Sequence, residues 1–469
     1  MFVKHICFCL AIIAFPRVAF AQAPARLAPG KVTELVQTGD RLADQKDYKG
    51  ALQNYTRAYV QTVSDIRGQA FNQKVKPSIF TREDLRKEML EMLEKEYTEE
   101  ELQLLQDTYR VWGFTPKDLD IGDLITSLFT EEVAGFYDPD NKRMVLIVED
   151  EPENEPGWLA KLLGATPAFD KDAQKTTLAH ELTHALQDQL YDLNAMEKGI
   201  EDDDDQLLAF QALVEGDATL LMFVEMGDQD LEDMDPAAMR ATFNIMSWLL
   251  PLSGGETYRQ APPIFKDSLT FPYFQGMLFV MSAAKNRGWP AVHACYRNPP
   301  LSTEQILHPE KFRGANIDLP QKVSIPDLKL AEDGWTQTGT NCLGEFQTRI
   351  LLKSVRGGTR AASGWDGDTY QVFRNGNGDL GLVSVSIWDS NEDATEFAEA
   401  YRKYRRNYKY ALNTFATGST QLLVVNKNQV WLAEGFPSET TKRIRRQLPE
   451  SKFEDKTFPL PDALQSKTN

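Results

Sequence analysis

Leu178-Ala179-His180-Glu181-Leu182-Thr183-His184-Ala185 constrains this chain more than any other stretch. No Pro or Gly interrupts residues 170–193, and Leu178, Leu182, Ala185, Leu186 and Leu190 recur at three- and four-residue steps. That periodicity predicts a helix with one apolar stripe, capped by Asp170. Residues four apart on a helix lie one above the other, so His180 and His184 can offer two imidazoles to one metal ion. Glu181 follows the first histidine, where its carboxylate reaches a water on the metal without being a ligand. Two ligands on a rigid rod beside a general base suit hydrolysis by a metal-activated water. The chain has five histidines, and loss of a leader containing His5 would leave His180, His184, His293 and His308. Half of that remainder sits in this one motif.

A catalytic zinc ordinarily takes three protein ligands and keeps a fourth position open. Downstream, Ala212-Leu213-Val214-Glu215-Gly216-Asp217-Ala218-Thr219-Leu220-Leu221 reads as a second helix, apolar except for Glu215, Asp217 and Thr219. A carboxylate in such a setting needs a partner, because burying an unpaired charge is costly. At these residues the chain resembles the gluzincins, the thermolysin-like branch of zinc metallopeptidases. The resemblance covers mainly residues 131–310. It implies a zincin-like core, zinc as cofactor, His180, His184 and Glu215 as ligands, Glu181 as general base, and a peptide or protein substrate. The chain departs from the pattern in the longer separation of Glu215 from His184, filled by the acidic run Glu201-Asp202-Asp203-Asp204-Asp205. Asp217 competes with Glu215 for the third ligand. Asp217 or Asp188 is expected to accept the free ring N–H of a ligand histidine and fix its tautomer. Gluzincin chemistry also uses a donor to the oxyanion, for which Tyr273 and His308 are the candidates. His293 reads as structural.

The first 21 residues read as a cleavable export signal. A short basic start is followed by the apolar run 6–15, too short to span a bilayer comfortably, and then by Ala19-Phe20-Ala21 at the cleavage positions. The alternative is an uncleaved anchor. The leader resembles a bacterial one, which implies periplasmic or secreted localisation. No other segment reads as a membrane span. The formal charge of −18 becomes about −20 without Lys4 and Arg17. Such a balance argues against nucleic acid and against anionic membranes as partners. The two remaining cysteines, Cys295 and Cys342, form one disulfide in an oxidising compartment or stay as buried thiols.

The fold class expected is mainly α with α+β parts, in three regions after the leader. Residues 22–130 are a helical N-terminal region, 131–335 the metallopeptidase-like domain, and 336–469 a small α+β module. In the first region, Leu35, Gly39, Leu42, Tyr48, Ala51, Tyr55 and Ala58 fall at the offsets of one tetratricopeptide-like helical hairpin. A single unit cannot bury both of its faces, so it is expected to dock on the rest, with a protein partner as the other use of its surface. Thr81-Arg82-Glu83-Asp84 and Thr98-Glu99-Glu100-Glu101 read as capped helix starts, followed by the stripes Leu85, Met89, Met92, Leu93 and Leu102, Leu105, Tyr109, Trp112. Residues 132–148 predict a β-hairpin around Asp138-Pro139-Asp140-Asn141. Its Phe136-Tyr137 and Met144-Val145-Leu146 runs are candidates for a substrate-aligning sheet, or for a sheet with a packing role only. An acidic loop is expected over 228–235 and an apolar helix over 239–250. In the module, strands at 370–373 and 382–388, a helix at 392–404, a hairpin at 422–433 and a basic helix at 441–448 predict one sheet covered on one face by helices.

Overall fold

The computed structural model describes residues 27–28, 30–96, 98–132, 135–139, 141–148, 171–227, 231, 234–243, 256–408 and 414–465. The leader at 1–21, the cap Asp170, much of the 228–235 loop and the 239–250 helix beyond residue 243 lie outside them. The fold is mainly α with α+β parts.

The chain opens with a helical hairpin, α1 (Lys31–Asp44) and α2 (Tyr48–Arg67). Gly39 allows the close crossing: a Cβ there would stand 2.4 Å from the Tyr55 ring. Leu35, Ala51, Tyr55 and Ala58 are buried, as the small and aromatic pattern requires. The Asp47 side chain caps α2 by accepting from Gly50 N–H. Together α1 and α2 share one core with the buried Leu178, Leu182 and Leu186 of the histidine helix. The hairpin is thus docked on the centre of the molecule.

Strand β1 (Lys76–Phe80) leads to α3 (Arg82–Glu96), α4 (Glu99–Trp112) and α5 (Ile121–Glu132). Thr98 and Glu101 exchange side-chain and backbone hydrogen bonds as a capping box, and Thr81 and Asp84 do the same for α3. Leu85, Met89, Leu105, Tyr109 and Trp112 are buried. The hairpin expected at 132–148 is present as β2 (Gly135–Asp138) antiparallel to β3 (Arg143–Ile147). Its turn is tied by the Asp138 carboxylate, which accepts from Asn141 and pairs with Arg143. A third strand was not apparent from sequence: β1 pairs parallel to β3, giving the order β1-β3-β2.

Three helices follow that matter most: α6 (Lys171–Tyr191), α7 (Asp204–Gly227) and α8 (Pro263–Ala284). Helices α7 and α8 cross with almost no gap. A Cβ on Gly216 would lie 2.0 Å from the Gly276 carbonyl carbon, and one on Gly276 would lie 2.0 Å from Ala212 O. Two facing glycines let the backbones touch. One expectation needs correction here. Helix α7 is long and apolar enough to cross a membrane by composition, yet 94% of its apolar window is buried within the chain. Its apolarity is that of a core helix packed on all sides. Beyond α8 come α9 (Trp289–Cys295) and α10 (Thr303–Leu307).

The C-terminal module holds β5 (Trp335–Asn341), α11 (Gly344–Leu352), β6 (Trp365–Asn375), β7 (Leu380–Trp388), α12 (Asn391–Asn407), β8 (Thr420–Asn426), β9 (Gln429–Phe436) and α13 (Ser438–Gln447). The strands form an antiparallel sheet in the order β5-β6-β7-β9-β8. Before and after it, β4 (Gln321–Ser324) and β10 (Lys452–Asp455) pair as a separate ribbon. The expectation of helices on one face only is corrected. Val372, Leu382 and Leu432 pack with Phe397 and Tyr401 of α12, while Phe373, Val383 and Ala433 pack with Ile444 of α13 and Val323 of β4. Both faces are therefore covered, which explains why β7 (LGLVSVSIW) carries apolar residues on both of its faces. The module is seated on α4. Trp112 meets Tyr370 and Tyr401 edge-on, Tyr404 OH donates to Trp112 O, and Arg374 pairs with Asp107. Cys295 and Cys342 are separate buried thiols.

Candidate metal centre

Helix α6 brings His180 and His184 onto one face with their Nε2 atoms 3.0 Å apart. Helix α7 packs alongside and presents Glu215, whose Oε2 stands 3.2 Å from His180 Nε2 and 3.4 Å from His184 Nε2. Donors held about 2.0–2.1 Å from a tetrahedral zinc stand roughly 3.3–3.4 Å from one another. The three observed separations match that triangle, so the residues fit such an ion. The donor set of two imidazoles and one carboxylate suits zinc chemically.

The charges are tightly coupled. Burial pushes the Glu215 carboxyl up, but the adjacent imidazoles outweigh it and hold the group down at about 2. Burial pushes His184 down, but Glu215 and then Glu181 outweigh it, lifting the ring to about 9. Without a metal, the centre is thus balanced by a proton on an imidazole, which metal binding would displace.

Glu181 is 2% exposed. Burial raises its carboxyl, opposed by His180 and His184, and the Tyr137 backbone N–H donates to it. Its Oε2 has no hydrogen-bond partner among the described residues. Strand β2 therefore holds one side of this carboxylate and leaves the other oxygen available. Of the two runs named for a substrate-aligning sheet, Met144–Leu146 lie in the central strand β3, with both edges paired. Only Phe136–Tyr137 lie on an edge, and all of β2 is buried.

The ring of His184 is oriented by a residue that the sequence reading missed. His184 Nδ1 stands 2.9 Å from Gln187 Oε1. Gln187 Nε2 in turn donates to Val214 O at 3.0 Å and to Asp217 Oδ2 at 2.9 Å. The signal available was position: Gln187 is three residues after His184 on the same helix face. Asp217 is not a third ligand, because it is ion-paired to Arg67 at 2.5 Å and accepts from Tyr296 OH at 2.8 Å. Nor does either aspartate take the histidine N–H directly. Asp188 is committed elsewhere: it accepts from Tyr137 OH and pairs with Lys142.

Tyr273 of α8 lies at the centre, its ring stacked 6.0 Å from that of His180. His308 does not. Its Nε2 is 3.2 Å from Glu345 and 3.1 Å from Arg349, at the end of α7 marked by Asp205. Ten residues of helix separate Asp205 from Glu215, about 15 Å of rise. His308 is withdrawn as an oxyanion donor; no spacing rule tied it to the motif. His293 is buried in a polar cluster, with Nδ1 2.5 Å from Tyr191 OH and 3.5 Å from Arg67.

Residues 332–446 match the family model DUF8575, a domain of unknown function. No curated protein matches the chain, and no solved structure does. The matched stretch corresponds to the five-stranded sheet and its helices, and lies apart in sequence from the histidine and glutamate donors on α6 and α7.

Two further clusters bring metal-type donors within 4.8 Å of one another: Glu304, Asp318 and Asp389, and Asp203, Asp205 and Cys342. Each already contains a cation. Lys311 Nζ lies 2.7 Å from Glu304, 2.9 Å from Asp318 and 2.7 Å from Asp389. Buried Lys456 Nζ lies 2.7 Å from Asp203 and 3.9 Å from both Asp205 and Cys342 Sγ. Among the described residues, no lysine or arginine pairs with Glu215.

Proposed function

We propose that the chain is a zinc-dependent hydrolase that cleaves peptide bonds, with Glu181 as general base. The observation that carries this reading is the convergence of His180 Nε2, His184 Nε2 and Glu215 Oε2 at zinc-ligand separations, beside a carboxylate with one uncommitted oxygen. The three donors would hold the ion and leave a fourth position. When bound, zinc supplies Lewis acidity, making a water more acidic and a carbonyl more electrophilic. Glu181, steadied by Tyr137 N–H, takes a proton from the attacking water and returns it to the leaving amine. Tyr273 stands beside His180 as the candidate donor to the oxyanion. The peptide class of substrate rests on the gluzincin resemblance, as does the choice of zinc over other divalent ions. Export, through a leader over 1–21, belongs to the same proposal.

A second reading has one observation in its favour. His180, Glu181, His184 and Glu215 are all under a tenth exposed, as in a metal centre that serves the fold rather than a reaction. Against it, structural zinc sites ordinarily close with four protein ligands, and only three converge here.

The two readings part on Glu181→Gln. The zinc-loaded parent and this variant would be incubated with a mixed peptide library and with non-peptide amides of cell-wall type. Cleavage of peptides by the parent, lost in a variant that keeps its zinc, supports the proposal. Cleavage of the other amides alone moves the substrate class. Zinc in both proteins with no hydrolysis by either supports the structural reading.

A further inference from the structure

The outermost helical hairpin reaches the candidate centre through one side chain. Arg67 is the last residue of α2, more than 110 residues before His184 in sequence, and is 3% exposed. Its Nη1 pairs with Asp217 Oδ1 at 2.5 Å, while Trp289 of α9 lies under the guanidinium, 4.7 Å from ring centroid to Cζ. Asp217 Oδ2 accepts from Gln187 Nε2, and Gln187 Oε1 faces His184 Nδ1.

The order of donors and acceptors along this chain leaves one solution. Gln187 Nε2 contacts a backbone carbonyl and a carboxylate, both acceptors, so that end of the amide must be the NH2. Its other end is then the carbonyl, which can only accept. His184 Nδ1 must therefore carry a hydrogen, and in the neutral ring Nε2 is left with its lone pair toward His180 and Glu215. Val214 O and Asp217 Oδ2 thus hold the amide between them, and Asp217 is itself held in place by the Arg67 ion pair and by Tyr296 O–H.

We propose that Arg67 is a positioning residue for the metal centre: its ion pair fixes the place of the Asp217 carboxylate, which steadies the Gln187 amide against His184 Nδ1. The inference rests on the metal reading above for its consequence, but the network itself is independent of metal. It also assigns the N-terminal hairpin a task inside the molecule.

The test uses the full mature chain, with Arg67→Met, Arg67→Lys and Gln187→Leu. In metal-free protein labelled with 15N-histidine, the parent is expected to show a hydrogen-bonded, slowly exchanging Nδ1–H of His184. Arg67→Lys should keep this signal, whereas Arg67→Met and Gln187→Leu should lose it. Zinc affinity, read by competition with a chromophoric chelator, should weaken about 10–100-fold in Arg67→Met and stay within about threefold of the parent in Arg67→Lys. Should Arg67→Met fail to fold, Arg67→Met with Asp217→Leu removes both charges together, a change that buried pairs often tolerate, and carries the same expectation. A folded variant lacking Arg67 that retains both the His184 signal and parental zinc affinity overturns the proposal. If the parent binds no zinc while the His184 signal still depends on Arg67, the metal reading fails and the positioning role stands.

Discussion

The donors on α6 and α7 and the carboxylates around Lys311 look alike as geometry and differ in where their countercharge comes from. Glu304, Asp318 and Asp389 surround an ammonium 2.7–2.9 Å away that belongs to the chain itself. His180, His184 and Glu215 surround a point onto which three donor atoms converge, with no lysine or arginine paired to Glu215 among the described residues. The Asp203–Asp205–Cys342 cluster follows the first pattern, with Lys456 as its cation. Proximity of acidic groups is thus weak evidence for a metal. The discriminating features are imidazole donors, separations that would fit a tetrahedral ion and, among the described residues, no lysine or arginine on the carboxylate.

That contrast is open to attack from several sides. The largest effect expected is on activity. Glu181→Gln should lower kcat by about 10³–10⁴-fold, measured on whichever substrate the parent cleaves, with zinc content unchanged. Next is Lys311→Met, which strands three carboxylates, one of them fully buried. A loss of roughly 2–4 kcal/mol is expected by urea unfolding, below the figure for a wholly buried pair because Asp318 and Asp389 are partly exposed. Added calcium or magnesium should restore part of that loss in the variant and do nothing for the parent. Restoration by neither ion would show that the two clusters are not alternatives of one kind. Tyr273→Phe tests the smaller catalytic contribution: a fall in kcat of about 10–100-fold is expected if its hydroxyl serves the oxyanion, and no change if the ring only packs.

The carboxylates around Lys311 also carry a pH signature. Asp366 stands near Asp318, Asp389 and Asp455. Burial first, and then these like charges, push it up to about 7, against Lys311. A folded-state value above the ordinary carboxyl value means that ionisation opposes folding, so stability is lost as pH rises through that interval toward 7. Asp366→Asn should therefore stabilise the chain above pH 7 by roughly 1–2 kcal/mol, discounted for partial solvation, and should leave it unchanged below the ordinary carboxyl range. Thermal unfolding at acid and alkaline pH reads the difference.

What the sequence disclosed and what it hid divide along a physical line. Features carried by local spacing were legible: the histidine pair on α6, the small and aromatic residues of α1 and α2, the Thr98 capping box, and the hairpin of β2 and β3. Glu215 was legible because a lone carboxylate in an apolar helix needs a partner. Contacts between distant segments were not. Nothing near residues 76–80 announces a parallel pairing with 143–147. Trp335–Asn341, polar and half-exposed, lacks the apolar run of a covered strand. Gln187 looks like any helix amide until Val214 O and Asp217 are placed around it. Lys311 and Lys456 carried no signal in sequence because most of the acids that surround them come from elsewhere in the chain. His308 failed for the same reason, since the Glu345 and Arg349 that hold its ring come from a helix further along the chain.

The central claim is tested most directly by the divalent metal content of the purified full chain, beside Glu215→Ala and Glu304→Ala. About one zinc per chain is expected in the parent and in Glu304→Ala, and none in Glu215→Ala. A parent that takes up no divalent metal even after reconstitution, or one whose metal is lost with Glu304 and kept without Glu215, would contradict the account.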